Sequence, residues 1–117
     1  MSNQTITRTV NGIQIMELHG RFDAHVVPDV QKWLEEQQQQ GLNRILINMK
    51  GVTFIDTRAL SLLVTGMKRS RQAEGDLCLC SLQQPVQIIF ELMHLDKAFE
   101  IFKDEAEAFL SFQQSVV

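Results

Sequence analysis

The chain has no apolar run approaching the length of a bilayer span, so the sequence offers no membrane helix. Its opening, MSNQTITRTV, lacks a charged segment followed by an apolar core, so no secretory signal is expected and cytoplasm is the default location. A surplus of basic residues is missing too. The formal net charge is -3, which argues against bulk binding to nucleic acid or to an anionic membrane surface. No G-x-G-x-x-G, G-x-x-x-x-G-K-[ST] or G-x-S-x-G string occurs, which removes the usual sequence support for a nucleotide loop or a serine hydrolase. The three histidines, His19, His25 and His94, lie on separate elements without metal-ligand spacing, so neither a metal nor a cofactor is expected. Cysteine is limited to Cys78 and Cys80. C-x-C is half of a metal site with no second half, and inside Leu77-Cys78-Leu79-Cys80 it reads as two buried, inert thiols on one face of an apolar strand.

What remains is an ordinary globular composition over 117 residues, 44% apolar and 21% charged, enough for one domain with a core across residues 1–117. Thr5 to Val10 reads as an edge strand, Asn11-Gly12 as a hairpin turn, and Ile13 to Leu18 as a strand covered on both faces. Gly20-Arg21-Phe22-Asp23 is expected to break that strand. Both prolines fit first helical turns. A helix begins near Ala24 to Pro28 with Val26, Val27, Val30, Trp33 and Leu34 on its apolar side, and Pro85 opens one with Val86, Ile89, Phe90 and Met93. The Gln37–Gln40 run reads as a solvated helix end before Gly41.

The stretch Arg44 to Met67 organises the rest. Ile45-Leu46-Ile47 is a buried strand and Lys50-Gly51 a brief turn. After Phe54 and Ile55 come Asp56-Thr57-Arg58 and a helix to about Arg71, with Leu60, Leu63, Val64 and Met67 at i, i+3, i+4 and i+7. Lys68, Arg69 and Arg71 suit that helix's C-terminal dipole better than a phosphate or RNA patch. Leu77 to Leu82 and Phe99 to Phe102 read as strands, and Asp104 begins a last helix with Phe109, Leu110 and Phe112. The order β-β-α-β-α-β-α-β-α predicts an α/β fold: a mixed, mostly parallel sheet of about five strands, an N-terminal hairpin and about four helices.

Asp23 and Asp56 each end a strand, and such ends gather at one rim of an open α/β sheet. Two carboxylates with Thr57 have the makings of a Mg²⁺-phosphoryl site, but no second carboxylate stands beside Asp56, which argues against an enzyme. From spacing alone, Asp56 or Thr57 reads as an ordinary helix N-cap. A helix start also offers unpaired N–H groups and partial positive charge, so a phosphate on Thr57 would be accommodated there without remodelling the fold.

Three segments carry a resemblance over nearly the whole chain. Gly20-Arg21-Phe22-Asp23 is similar to a G-x-L-D loop, Ile45 to Val64 to a strand, F-x-D-[ST] turn and helix, and Leu77 to Phe102, with Ser81 and Pro85, to a closing strand-helix-strand. On these the chain resembles the anti-sigma-factor antagonists, single-domain members of the STAS superfamily (sulfate transporter and anti-sigma antagonist). The family commonly has D-S-S-G-L here, its first serine the phospho-acceptor, where this chain has Asp56-Thr57-Arg58-Ala59-Leu60. The resemblance puts Thr57 on the acceptor position, as in stressosome-type members. Arg58 replaces the second serine and Ala59 the glycine, which alters the surface a kinase must fit and sets a cation beside the phosphate. The resemblance implies partner switching. The unmodified domain binds an anti-sigma factor that is also a serine/threonine kinase and frees the sigma factor; phosphorylation releases the domain, and a PP2C-type phosphatase resets it. The expected contact surface is Asp23, Asp56, Thr57 and Arg58, extended by Ser61, which also reads as a small exposed helix residue, and by Arg21, which also reads as a solvated loop residue. The expected state is a monomer or weak dimer. A stressosome-like scaffold, or a binding module in which Arg58 blocks kinase access, are the rival readings.

Overall fold

In the computed structural model, which describes residues 5–114, the elements follow the predicted order. Strands β1 (Thr5–Val10) and β2 (Ile13–Phe22) form an antiparallel hairpin. Its turn places Asn11 and Gly12 at φ 51° and 80°, the left-handed pair that matches the twist of the flanking strands. Helix α1 (Val27–Gln39), strand β3 (Arg44–Ile55), helix α2 (Thr57–Gln72), strand β4 (Asp76–Cys80), helix α3 (Gln84–Leu92), strand β5 (Ile101–Phe102) and helix α4 (Glu105–Gln114) follow. The sheet order is β1-β2-β3-β4-β5, and every pair after the hairpin is parallel.

Each parallel connection steps one strand in the same direction. Crossovers of a single hand that do so lay their helices on the same face of the sheet. Accordingly Val30, Trp33 and Leu34 of α1, Leu60, Leu63 and Met67 of α2, and Val86 and Phe90 of α3 share one buried cluster with Met16, Leu18, Ile45, Ile47, Leu77 and Leu79. The other face carries Ile13, Ile15, Leu46, Cys78 and Cys80 under Ala108 and Phe112 of α4 alone. Strands covered on both sides explain the unbroken apolar runs at Ile45–Ile47 and Leu77–Cys80.

The turn expected at Lys50-Gly51 is absent. Strand β3 runs straight through it, because the extra length is absorbed as irregular pairing with β2. Glu17 faces Asn48 and His19 faces Gly51, so β3 uses three steps where β2 uses two. A second shift follows between Gly20/Val52 and Arg21/Phe54. At the first, the Lys50 N–H donates to the Asn48 side-chain oxygen at 2.9 Å in place of a ladder bond. Nor does Gly20 break β2: at φ 84° it stays within the strand, which runs on to Phe22. The ring of His19 lies over Gly51, where a Cβ would stand 2.1 Å from its Nδ1 and 2.9 Å from the Leu18 carbonyl oxygen.

Smaller departures have local causes. Strand β4 stops at Cys80, short of the expected Leu82, because Ser81 turns to φ 61°. Strand β5 is only Ile101–Phe102; Phe99 leaves the sheet to pack edge-on against Phe90, ring centroids 5.7 Å apart. The glutamine run is not wholly solvated, since Gln38 donates to the Gly66 carbonyl and the Ser70 hydroxyl across α2. Met93, expected on the buried side of α3, is 55% exposed just past the helix end. Leu110 is likewise exposed on α4.

Cys78 and Cys80 are buried and unpaired. Burial raises both thiols, that of Cys78 further with the help of Asp76, and that of Cys80 to about 11. Both therefore stay protonated at pH 8, and thiol reagents should label the native protein only as fast as it opens, but label both cysteines at once in denaturant. Because the folded pKa exceeds the unfolded value near 8.5, their contribution to stability is complete below that value and should fade as pH rises toward 11. Gly51→Ala should cost about 1–3 kcal/mol in urea unfolding, since His19 and the β2 backbone must both give way.

Candidate functional site

The paired ends of β2 and β3 build the rim. The two shifts bring Phe22 opposite Ile55, so both strands release their chains at the same level. The Asp56 N–H then donates to the Phe22 carbonyl at 3.2 Å. Asp56 is extended, at φ -104° and ψ 178°, and caps α2: one carboxylate oxygen accepts from the Ala59 N–H at 2.9 Å. Its other oxygen accepts from the Ala24 N–H at 3.0 Å, in the loop leading to α1. One carboxylate thus fastens the starts of two helices. Its oxygens are turned to backbone N–H groups.

Asp23 has a similar local duty. Its carbonyl accepts from Val26 and Val27 at 2.9 and 3.0 Å, and its carboxylate from the His25 N–H at 3.0 Å. Arg21 lies 3.5 Å from that carboxylate and 4.0 Å above the ring of half-exposed Phe54. Among the described residues no group of three or more His, Cys, Asp or Glu side chains is placed to hold a metal.

Thr57 is the first residue of α2, not its cap. The residue is exposed, and its hydroxyl makes no hydrogen bond among the described residues. Arg58 is exposed beside it without an ion pair among the described residues, while the next residue, Ala59, is fully buried. Ser61 stands exposed one turn further on. Thr57, Arg58 and Ser61 together edge a groove of about 360 Å³ between α1 and α2, whose far wall includes Gln31 and Glu35. On its α3 side Thr57 edges two apolar hollows, one reaching Val64 and Leu95, the other Ile89 and Leu92, with Leu60 and Met93 in both.

Thus Asp23, Asp56, Thr57 and Arg58 come together at one rim, with Arg21 beside Asp23 and Ser61 farther along the helix. Sequence reasoning missed the second bond of Asp56 and the apolar surface of α3. The first depends on strand register and leaves no local signal. The second was readable only as helical periodicity, which pointed Met93 inward.

A sequence profile of the STAS domain matches residues 4–108. The anti-sigma F factor antagonist of Paenibacillus polymyxa is 26% identical over 98 residues, 83% of this chain and 84% of that protein. A solved structure from Thermotoga maritima, assigned as an anti-sigma factor antagonist, superposes with a TM-score of 0.87 at 21% identity, covering 93% of this chain and 94% of that one. The Bacillus cell fate determinant SpoIIAA, solved in its phosphorylated form, gives 0.76 at 19% identity over 92% and 98%. No helix among the described residues is long and apolar enough to cross a membrane.

Asp56→Ala should destabilise the protein by about 1–2 kcal/mol in urea unfolding, the cost of a lost cap, and should raise amide exchange at Ala24 as well as Ala59. Asp56→Asn should fall between Asp56→Ala and wild type: the amide oxygen keeps one N–H, and its NH₂ is unable to accept the other.

Proposed function

This chain belongs to the STAS domain family, and from that premise we propose that it is an anti-sigma-factor antagonist whose binding is switched at Thr57. The observation that carries the reading is the division of labour at the start of α2. Asp56 does the capping, which leaves the Thr57 hydroxyl exposed and without structural duty. A cap hydroxyl would have to abandon its N–H to be modified; this one abandons nothing.

In this reading the unmodified rim of Arg21, Asp23, Asp56, Thr57, Arg58 and Ser61 binds an anti-sigma factor that is also a serine/threonine kinase. Phosphorylation adds about -1.5 to -2 charges at pH 7. The N-terminus of α2 tolerates that charge, so the fold need not change, but the partner's surface must accept it or leave. A coupling of about 3 kcal/mol is roughly a hundredfold in affinity, enough to separate bound from free. A PP2C-type phosphatase resets the switch. The anti-sigma F factor antagonist of Paenibacillus polymyxa and the phosphorylated form of the Bacillus structure support this reading.

The test uses the anti-sigma kinase of the same genome with ATP, followed by mapping of the phosphate by mass spectrometry. Phosphate is expected on Thr57. Thr57→Ala should bind constitutively and Thr57→Glu about a hundredfold more weakly. A phosphate elsewhere, or equal binding of the two variants, overturns the switch; assembly of the purified chain into a very large particle would favour the scaffold.

A further inference from the structure

The two edges of the sheet are unequal. At one, β5 is two residues long and leads at once into α4. At the other, β1 is a regular strand of six residues that holds no proline, lysine or bulge. Those are the usual devices that keep a free edge from pairing with another chain. Apart from the Arg8–Glu105 pair, β1 is also left open by the helices: Ile6, Thr7, Arg8 and Thr9 are all exposed, Ile6 at 51%. We propose that β1 pairs antiparallel with β1 of a second copy of this chain, about a two-fold axis through Thr7, and so joins two five-stranded sheets into one. The inference does not rest on the switch at Thr57.

Backbone direction comes first. Val10 and Ile13 flank the two-residue turn, so they exchange both of their backbone bonds, and bonded pairs then alternate along the hairpin. Arg8 and Ile6 therefore turn their N–H and C=O groups toward β2, while Thr7 and Thr9 turn theirs outward. Neither Thr7 nor Thr9 has a backbone hydrogen-bond partner on that side among the described residues. Charge and register then select the occupant. A two-fold axis through Thr7 sets Thr7 against its own copy, Thr9 against Thr5 of the second copy, and Arg8 against Ile6 of the second copy. Threonine pairs across strands are favourable, and the methylene stem of Arg8 lies along the exposed Ile6. An axis through Arg8 would also align outward groups, but it sets two guanidinium groups directly opposite each other. An axis through Ile6 leaves Thr9 unmatched. The row is thus complementary to itself in one register, as an isologous dimer requires. An axis normal to the sheet keeps the helices of both copies on one face and sends the two Thr57 rims to opposite ends, so neither rim is covered.

Sedimentation equilibrium of the full chain tests the proposal. Pairing along one short strand makes a small interface, so wild type should dimerise with a dissociation constant of about 10–100 µM. Thr7→Lys and Thr7→Asp each put like charges on the axis and should weaken the dimer about tenfold at low salt, with an unchanged thermal melt because Thr7 is exposed. An equimolar mixture of the two variants should regain wild-type association, since opposite charges then meet across the axis; misfolding of either variant would not give that result. Leu92→Ser, which removes an exposed apolar side chain from α3, should dimerise as wild type does. A chain that stays monomeric to about 1 mM, or a dimer that both Thr7 variants leave within about twofold of wild type, overturns the β1 surface. Loss of the dimer in Leu92→Ser assigns association to α3 and overturns it as well. Weakening by both Thr7 variants without recovery in their mixture overturns the axis.

Discussion

The rim where β2 and β3 end depends on one carboxylate shared between two backbone amides. Asp56 holds the Ala59 N–H at the head of α2 and the Ala24 N–H on the approach to α1. With the Asp56 N–H on the Phe22 carbonyl, these bonds fix the rim as one unit. Bonds to a charged acceptor are worth more than neutral ones, and here two donors draw on the same group. The position of Thr57 follows, since it is the next residue along a chain whose direction has just been set. So does the direction of the groove between α1 and α2, because both helices begin from the same anchor.

That anchor depends on the sheet beneath it. Without the two irregularities in β3, the ends of β2 and β3 would be out of step by the two residues those shifts absorb. Gly51 accepts the ring of His19 and the Asn48 side chain replaces a missing ladder partner, so the extra residues fit within a strand buried on both faces. On the opposite face, Glu105 at the start of α4 receives Asn48 at 2.6 Å and pairs with Arg8. Asn48 therefore connects the irregular segment of β3 to the one helix on that side.

Much of this was legible. The Asn11-Gly12 turn, the inward faces of α1 and α2 and the doubly covered strands follow from local chemistry: a left-handed dipeptide, a 3.6-residue period, and unbroken β-branched or leucine runs. The motif after β3 placed Thr57 at the start of a helix, where α2 begins. Lys50-Gly51 was misread because a glycine after a polar residue has the same signature in a turn and in a bulge, and only the neighbouring strand decides. The same blindness hid the second role of Asp56, whose partner Ala24 lies 32 positions away. The exposure of Met93 escaped because the period of α3 points it inward, whereas the helix ends one residue earlier.

The separation between Asp56, which holds the rim, and Thr57, which holds nothing, bears on how such a domain diversifies. A lineage is free to exchange the hydroxyl for another side chain without endangering folding; under the proposed reading, sensitivity to an upstream signal can then be gained, retuned or silenced in single steps. Duplicated copies can thereby drift into separate circuits while the scaffold beneath them stays the same.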